Sequence, residues 1–424
     1  NDGSGALQGA IQIIAARNSV SADSFNRNVA LLDSISDLLA PPYSDLASLI
    51  EARMYSQLYL TSPWQFNSRT LPLDSFPENP MEWSRDLFAK KVLQLVDKAT
   101  GNLAVAKATP ISAISSILTN CSFAEKSEMS VYDFMVANCE SLLSSFATTS
   151  ASEVIPFFGA TGAQAGNVSE SCSAKRNDLV DDLYSSITAN TSPAATAWAV
   201  KLKASTISSL PQRADLLLGW IDKMKDSQES GWLIDDYYNI SASRSNISLE
   251  FGSDHKRKLY TLLQDYLARF PKSDFAQSVR YHLADLTRKQ ANVILPSVAV
   301  SSQPVKGSLS AENMNTAYVL LYSVPESSID NGSLNLKNFP GKATFVKAVK
   351  VDLEGNVPFT ISADFTLPAL TPGFYVAIPS ETPKLSAKWK NQVERWSMSV
   401  INVSDISILL SANSKEKDSG TVYV

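Results

Sequence analysis

The sequence predicts an α+β protein built in consecutive blocks, an N-terminal all-α helical array followed by a C-terminal antiparallel β-sandwich. Two patterns carry that expectation. Leu259, Leu262, Leu263, Tyr266, Leu267 and Phe270 recur at helical spacing, which draws one apolar stripe along a cylinder. Further on, Phe359, Ile361, Ala363, Phe365 and Leu367 alternate with Thr360, Ser362, Asp364 and Thr366, the period of a strand with one wet face. The change from one period to the other falls near Ala291.

Helical patterning runs from about Ala6 to Gln290. Its clearest segments are Ser24 to Leu39, Tyr43 to Leu60, Met81 to Thr100, Val131 to Ala147, Asp178 to Ala189, Pro193 to Ser208 and Pro211 to Asp226. Pro193 and Pro211 suit a first helical turn, where the missing N–H would have had no partner. Pro271 ends the helix that Leu259 opens. Ser273 or Asp274 then caps a second one carrying Phe275, Val279, His282, Leu283 and Leu286, so the two form a hairpin. Helix after helix with short polar joints suggests a TPR-like or irregular array, because each hairpin must bury its stripe against a neighbour. No strict period recurs.

Beyond Ala291, strands are expected at Val293 to Val300, Thr316 to Tyr322, Phe345 to Val351, Gly373 to Ile378 and Trp396 to Val403, separated by Gly, Pro and Asn turns. Several short strands at this spacing favour a sandwich, which Ile406 to Leu410 would close. Ser411 to Gly420 reads as a polar linker. Thr421 to Val424 reads as a strand with no partner, and a lone strand is unstable, so a continuation past Val424 into another β domain is expected. The expected domains are a helical region over 1–290, which would subdivide near 150–175, a sandwich over 291–412, and a linker with the first strand of a further domain over 413–424.

Composition narrows the function classes. With 44% hydrophobic and 19% charged residues the chain is too apolar for a disordered one. Its net charge of -5, with no Lys/Arg-rich face, argues against nucleic acid as a partner. The basic run His255-Lys256-Arg257-Lys258 sits where a helix begins and reads as a solvated turn. No stretch approaches the roughly 20 apolar residues of a membrane helix, and Asn1 to Gly9 lacks the order of a signal peptide, so a soluble chain is expected.

Two histidines, His255 and His282, are too few for a metal centre, and His282 reads as a partly buried, hydrogen-bonded packing residue. Cys121, Cys139 and Cys172 form no disulfide framework and lack a nearby His, so they read as small buried hydrophobes, with one bridge left open. The glycines of Phe157 to Asn167 are in the wrong frame for a phosphate loop and no Lys follows them. Asp181-Asp182 and Asp235-Asp236 are adjacent, so on a helix they diverge and read as solvated surface. No catalytic residue, cofactor or metal site is expected. Among the aromatic residues, Trp220 and Trp232, with Tyr237 and Tyr238 nearby, are candidates for a carbohydrate-stacking platform, set against the plainer reading as core. Seven Asn-x-Ser/Thr sequons occur, at Asn120, Asn167, Asn190, Asn239, Asn246, Asn331 and Asn402, in a serine-rich chain that generates them by chance.

Phe339-Pro-Gly-Lys-Ala-Thr, Leu370-Thr-Pro-Gly-Phe-Tyr-Val-Ala-Ile and Trp396-Ser-Met-Ser-Val-Ile-Asn-Val-Ser-Asp-Ile resemble the first macroglobulin domain of bacterial alpha-2-macroglobulin-like proteins. Arg69-Thr70, Glu82-Trp83-Ser84 and Phe270-Pro-Lys-Ser-Asp-Phe resemble the helical leader of the same envelope proteins, while Thr100 to Ser230 carries no likeness. The resemblance implies a non-enzymatic part of an exported periplasmic or envelope protein, in the manner of a lipoprotein, that scaffolds protease trapping. Its implied partners are further macroglobulin domains of the same chain and proteases, with the membrane reached only through a lipid anchor outside this chain. The family's Cys-Gly-Glu-Gln thioester is not matched at Cys121, Cys139 or Cys172. A carbohydrate-binding surface protein built on the helical array is the alternative.

Overall fold

The structure, a computed structural model, describes residues 2–20, 24–69, 71, 73–101, 103–118, 129–147, 162–241, 255–330, 333–335, 339–353, 360–385, 396–405, 409–412 and 420–423. The chain falls into two compact units, Asn1–Asn246 and Ile247–Val424.

The first unit is helical: α1 (Gly3–Val20), α2 (Phe25–Leu38), α3 (Tyr43–Thr61), α4 (Pro63–Asn67), α5 (Arg85–Ala99), α6 (Ala104–Ala108), α7 (Val131–Ser144), α8 (Gly162–Ser185), α9 (Pro193–Thr206), α10 (Leu210–Lys223) and α11 (Ser230–Ser241). Neighbours in sequence pack as neighbours in space, α2 on α3, α7 on α8, α8 on α9 and α10 on α11, while α3 also lies along α5. A single core runs from Leu7 on α1 to Ala199 on α9. Its aromatic centre is Tyr59, Phe66, Phe88 and Phe146, beside a Tyr55–Trp83 stack with ring centroids 5.2 Å apart.

Caps decide where these helices begin. Ser84 has extended backbone angles and its hydroxyl accepts from Leu87 N at 3.4 Å, so α5 starts there and not at Met81. Pro80–Glu82 is instead a 3-10 turn. At α7, Ser130 and Asp133 form a reciprocal capping box. Helix α8 corrects the expected Asp178 to Ala189: it starts at Gly162 and stops at Ser185, where the Ser186 hydroxyl bonds back to Leu183 O at 2.7 Å. Pro193 and Pro211 do sit in first turns.

The second unit opens with a helical hairpin, α12 (His255–Arg269) and α13 (Ala276–Leu286). The expected stripe is present, with Leu259, Leu263 and Tyr266 buried on α12 and Val279 and His282 on α13. Neither Ser273 nor Asp274 caps α13, since Phe275 holds the cap position without a side-chain bond. In the basic run Arg257 and Lys258 are exposed, while Lys256 departs from the solvated reading and lies 3.4 Å from the Glu312 carboxylate.

Strands follow from Gln290: β1 (Gln290–Ile294), β2 (Val298–Ala299), β3 (Val305–Glu312), β4 (Thr316–Val324), β5 (Ile329–Asp330), β6 (Ser333–Leu334), β7 (Thr344–Asp352), β8 (Thr360–Leu367), β9 (Gly373–Ser380), β10 (Ser399–Val403), β11 (Leu409–Ala412) and β12 (Gly420–Tyr423). A three-stranded sheet β1-β3-β8 and a five-stranded sheet β2-β10-β9-β4-β7 contribute side chains to one shared core. The chain expected as one strand from Val293 to Val300 is split between the sheets, β1 in the first and β2 in the second. Pairing is antiparallel throughout the two sheets except for β2 beside β10, which is parallel.

Three features lay beyond the expectation. Strand β3 was not anticipated; Val305, Leu309 and Ala311 face inward, and Gly307 occupies the position between them opposite Phe365. The outer face of the five-stranded sheet carries its own apolar cluster, Leu320, Tyr322, Val324, Val376 and Ile378 covered by Phe339, so β4 and β9 have no wet face. Finally, Thr421 to Tyr423 is not a lone strand: β12 pairs antiparallel with β11, Leu410 opposite Val422.

The turn into β9 crosses between the sheets. There Tyr375 is buried and its hydroxyl donates to Thr371 O at 2.9 Å, four residues upstream, with Gly373 at φ 149 between them. This is a tyrosine corner, a fastening found at sheet crossings in Greek-key sandwiches.

Candidate functional site

In the first unit the starts of two helices and the end of a third surround a cleft of about 380 Å³. Lys107 reaches it from α6, Ser130, Tyr132 and Asp133 from the start of α7, Ser186 from the end of α8, and Asn190, Thr191 and Ser192 from the turn into α9. The sequence places them there by capping: Ser130 and Ser192 each hold their own helix start, Ser192 accepting from Ala195 N at 3.3 Å. Asp133 Oδ2 accepts from Ser130 N at 2.7 Å and from Ser130 Oγ at 2.6 Å. The Ser130, Asp133 and Ala195 N–H groups are thus already engaged.

Asp182 of α8 bonds two of these lining residues. Its Oδ2 accepts from Tyr132 Oη at 2.5 Å and from Lys107 Nζ at 2.9 Å, and the ammonium lies 4.6 Å from the centroid of the Tyr132 ring. The Tyr132 and Lys107 hydrogen bonds hold the Asp182 carboxyl below its usual range, which makes it a poor base. Burial, then the Asp182 contact, pushes the Tyr132 phenol up, so it keeps its proton. The arrangement can hold a polar ligand by hydrogen bonds.

The tryptophans singled out in the sequence lie elsewhere and have separate partners. Trp220, on α10, is half-buried and donates from its indole N–H to Tyr184 Oη at 2.9 Å, with Lys223 Nζ 4.4 Å from its ring centroid. Trp232, on α11, packs on Trp198 with centroids 4.9 Å apart, under Lys201 at 5.4 Å. Trp198 in turn donates to Asp133 O at 3.3 Å, which steadies the cleft wall from behind. Tyr237 and Tyr238 are buried.

The remaining candidates find structural places. Cys139 and Cys172 are free and fully buried, and burial pushes their thiols up to about 12 and about 11, too high for a nucleophile. Cys121 lies outside the described residues, as do Asn120, Asn246, Asn331 and the first part of the glycine stretch; Gly162 onward is helix. His282 is buried, its Nε2 3.3 Å from Ser278 Oγ. Asp181 and Asp182 are exposed and paired with Lys203 and Lys107. Asp236 departs from the solvated reading, being mostly covered and 3.0 Å from Lys201.

One cluster gave no sequence signal. The Glu51 side chain on α3 is 1% exposed, with its Oε1 3.2 Å from Lys91 Nζ, and Asp33 of α2 faces it. Burial raises the Glu51 carboxyl to about 7, Lys91 opposing and Asp33 adding to the shift. No ligand can reach a carboxyl so enclosed, so the pair is a feature of packing. Among the described residues, no group of His, Cys, Asp and Glu could hold a metal ion, and no helix is long and apolar enough to cross a membrane. Compared with known proteins, the chain matches no family model and no curated sequence.

Proposed function

We propose that this chain is a non-catalytic scaffold segment of an exported, alpha-2-macroglobulin-like envelope protein, in which a helical array leads into a macroglobulin-type sandwich. The observation that carries the reading is the tyrosine corner. The turn on which the resemblance rests, Leu370-x-Pro372-Gly373-x-Tyr375, folds as the fastening of a sheet crossing, with Leu370 and Tyr375 both in the shared core. The polar cleft beside α7 and α9, with its helix starts capped and its carboxylate locked, fits binding better than chemistry.

On this reading the partners are further macroglobulin domains of the same polypeptide and the proteases it traps, and the membrane is reached through a lipid anchor outside this chain. An antibody raised to the chain and used on fractionated cells tests it. The expected outcome is a band well above 46.0 kDa in the envelope fraction, shifted further when the cells are exposed to protease. A band at 46.0 kDa in the cytosolic fraction would overturn the proposal. The carbohydrate-binding alternative needs Trp220 and Trp232 to share a ligand, and their separate partners give it no support.

A further inference from the structure

Side chains of α2, α3 and α5 meet at one enclosed carboxyl. The Glu51 side chain of α3 is 1% exposed, and its Oε1 lies 3.2 Å from Lys91 Nζ of α5. The same ammonium sits 5.4 Å from the centroid of the Tyr55 ring, one turn on from Glu51. Asp33 of α2 is half-buried and faces that carboxyl, where its charge and its hydrogen bond both favour the protonated form of Glu51. The Tyr55 phenol, pushed up by burial and then by Glu51, keeps its own proton. Other charges on the helices packed around α3 have partners elsewhere. Arg17 of α1 is turned onto Arg27 O and Asn28, and Arg53 of α3 onto Asn138 of α7. On α5, Lys90 is turned onto Leu73 O, Asp97 onto Lys175 and Lys98 onto Asp37.

The charge count of this cluster decides its behaviour. Two carboxyls share one ammonium, so the group is neutral while one proton stays with the pair and is one negative charge in excess once it leaves. An uncompensated charge shut away from water is costly, and the fold relieves it by moving the least anchored member. That member is Asp33. Helix α5 buries Leu87, Phe88, Val92, Leu95 and Val96, and α3 is buried along much of its length, whereas α2 buries Leu32 with the polar Asn28 and Ser36. It is tied to α3 and α5 by Phe25 edge-on to Tyr55 at 5.2 Å, by Ser36 Oγ 3.2 Å from Ser48 Oγ, and by the exposed Asp37–Lys98 pair.

We propose that Glu51, Asp33 and Lys91 form a proton-held clasp, which keeps α2 on α3 while the two carboxyls hold one proton and lets α2 open when that proton is lost. Burial raises the Glu51 carboxyl to about 7 while α2 is in place; with α2 open, water reaches it and it returns toward 4.5. Support for the closed form is therefore complete below pH 4.5 and falls as pH rises through about 7. The inference does not depend on the function proposed above.

Hydrogen exchange of the full chain at about pH 5 and about pH 8, corrected for the intrinsic rate, tests it helix by helix. Opening of α2 should rise at least about tenfold between the two, since each pH unit crossed between the open and closed values changes the equilibrium by up to tenfold. At the higher pH the opening of α2 should depend little on added urea, as a local opening does, while that of α7 depends on it steeply. Glu51→Gln should abolish the rise. Asp33→Asn should reduce it, because Glu51 stays buried but the charge facing it is gone; if Glu51→Gln does not fold, Asp33→Asn decides. An α2 that opens equally at both pH values, an opening of α2 as steep in urea as that of α7, or the full native rise kept by either variant overturns the proposal.

Discussion

Glu51 is a carboxyl that the fold keeps from water and only partly compensates. Because its folded value is raised to about 7 from an ordinary 4.5, the folded chain holds that proton more tightly than the unfolded chain does. The resulting stabilisation is complete below pH 4.5 and is lost as pH rises through about 7, a swing on the order of 3 kcal/mol. Glu51→Gln keeps the shape and removes the titration. Thermal melts across that range should therefore slope downward with pH for the native chain and stay nearly flat for the variant; parallel slopes would show that Glu51 does not titrate there. Gly307 makes a second residue-level case. A Cβ at that position would stand 2.4 Å from Leu295 Cδ2, 2.7 Å from Phe365 Cζ and 3.0 Å from Ile294 O, so both side chains would have to shift. Gly307→Ala should cost about 1–3 kcal/mol in urea unfolding. Shortening the neighbour as well, with Phe365→Leu, should recover part of it, whereas simple additivity of the two losses would place the clash elsewhere.

Helices and strands owe their ends to different kinds of information, which is why they were not equally legible. Serine caps and first-turn prolines are local, so α7, α9 and α10 could be placed within a few residues from the sequence, and the apolar stripes of α2 and α3 placed those two. Helix α5 was begun too early because Met81 looks like part of its stripe, while the signal that matters is the Ser84 hydroxyl. The alternation of β8 was readable, since Phe365 and Leu367 are buried and Ser362, Asp364 and Thr366 are exposed. Strand β3 was not, because its inward Gly307 is set by Phe365 across the pair, a distant residue. The parallel β2–β10 contact and the Asp33–Glu51 approach are likewise long-range, and nothing in the composition near Trp64 says that this indole faces water. The capping box of α7 gives the element-scale prediction. Ser130 supplies a hydroxyl to Asp133 N and receives the Asp133 carboxylate on its own N–H, so Ser130→Ala should cost about 1 kcal/mol. Hydrogen exchange should quicken in the first turn of α7 and leave α5 unaltered; a uniform change across both would point to the shared core instead.

At the scale of the whole chain, the last helical hairpin belongs with the sheets and not with the helices before it. The reason is a set of bonds between the hairpin with its exit turn and the sheets. Asn313, in the β3–β4 turn at φ 59, donates from Nδ2 to Leu286 O at 2.9 Å and to Arg288 O at 2.8 Å. The Trp396 indole N–H donates to Lys289 O at 3.1 Å, and Lys256 meets Glu312. Asn313 does two jobs, since it accepts the left-handed backbone and satisfies carbonyls that the end of a helix leaves without partners. Asn313→Ala loses both, at a cost of about 1–3 kcal/mol. If hairpin and sandwich are one cooperative body, exchange protection should fall together in α12, α13, β1 and β3, while the helices of the first unit keep theirs. If α12 and α13 alone lose protection, the hairpin is a separate folding element that merely leans on the sheets, and the division of the chain before α12 would have to move to its end.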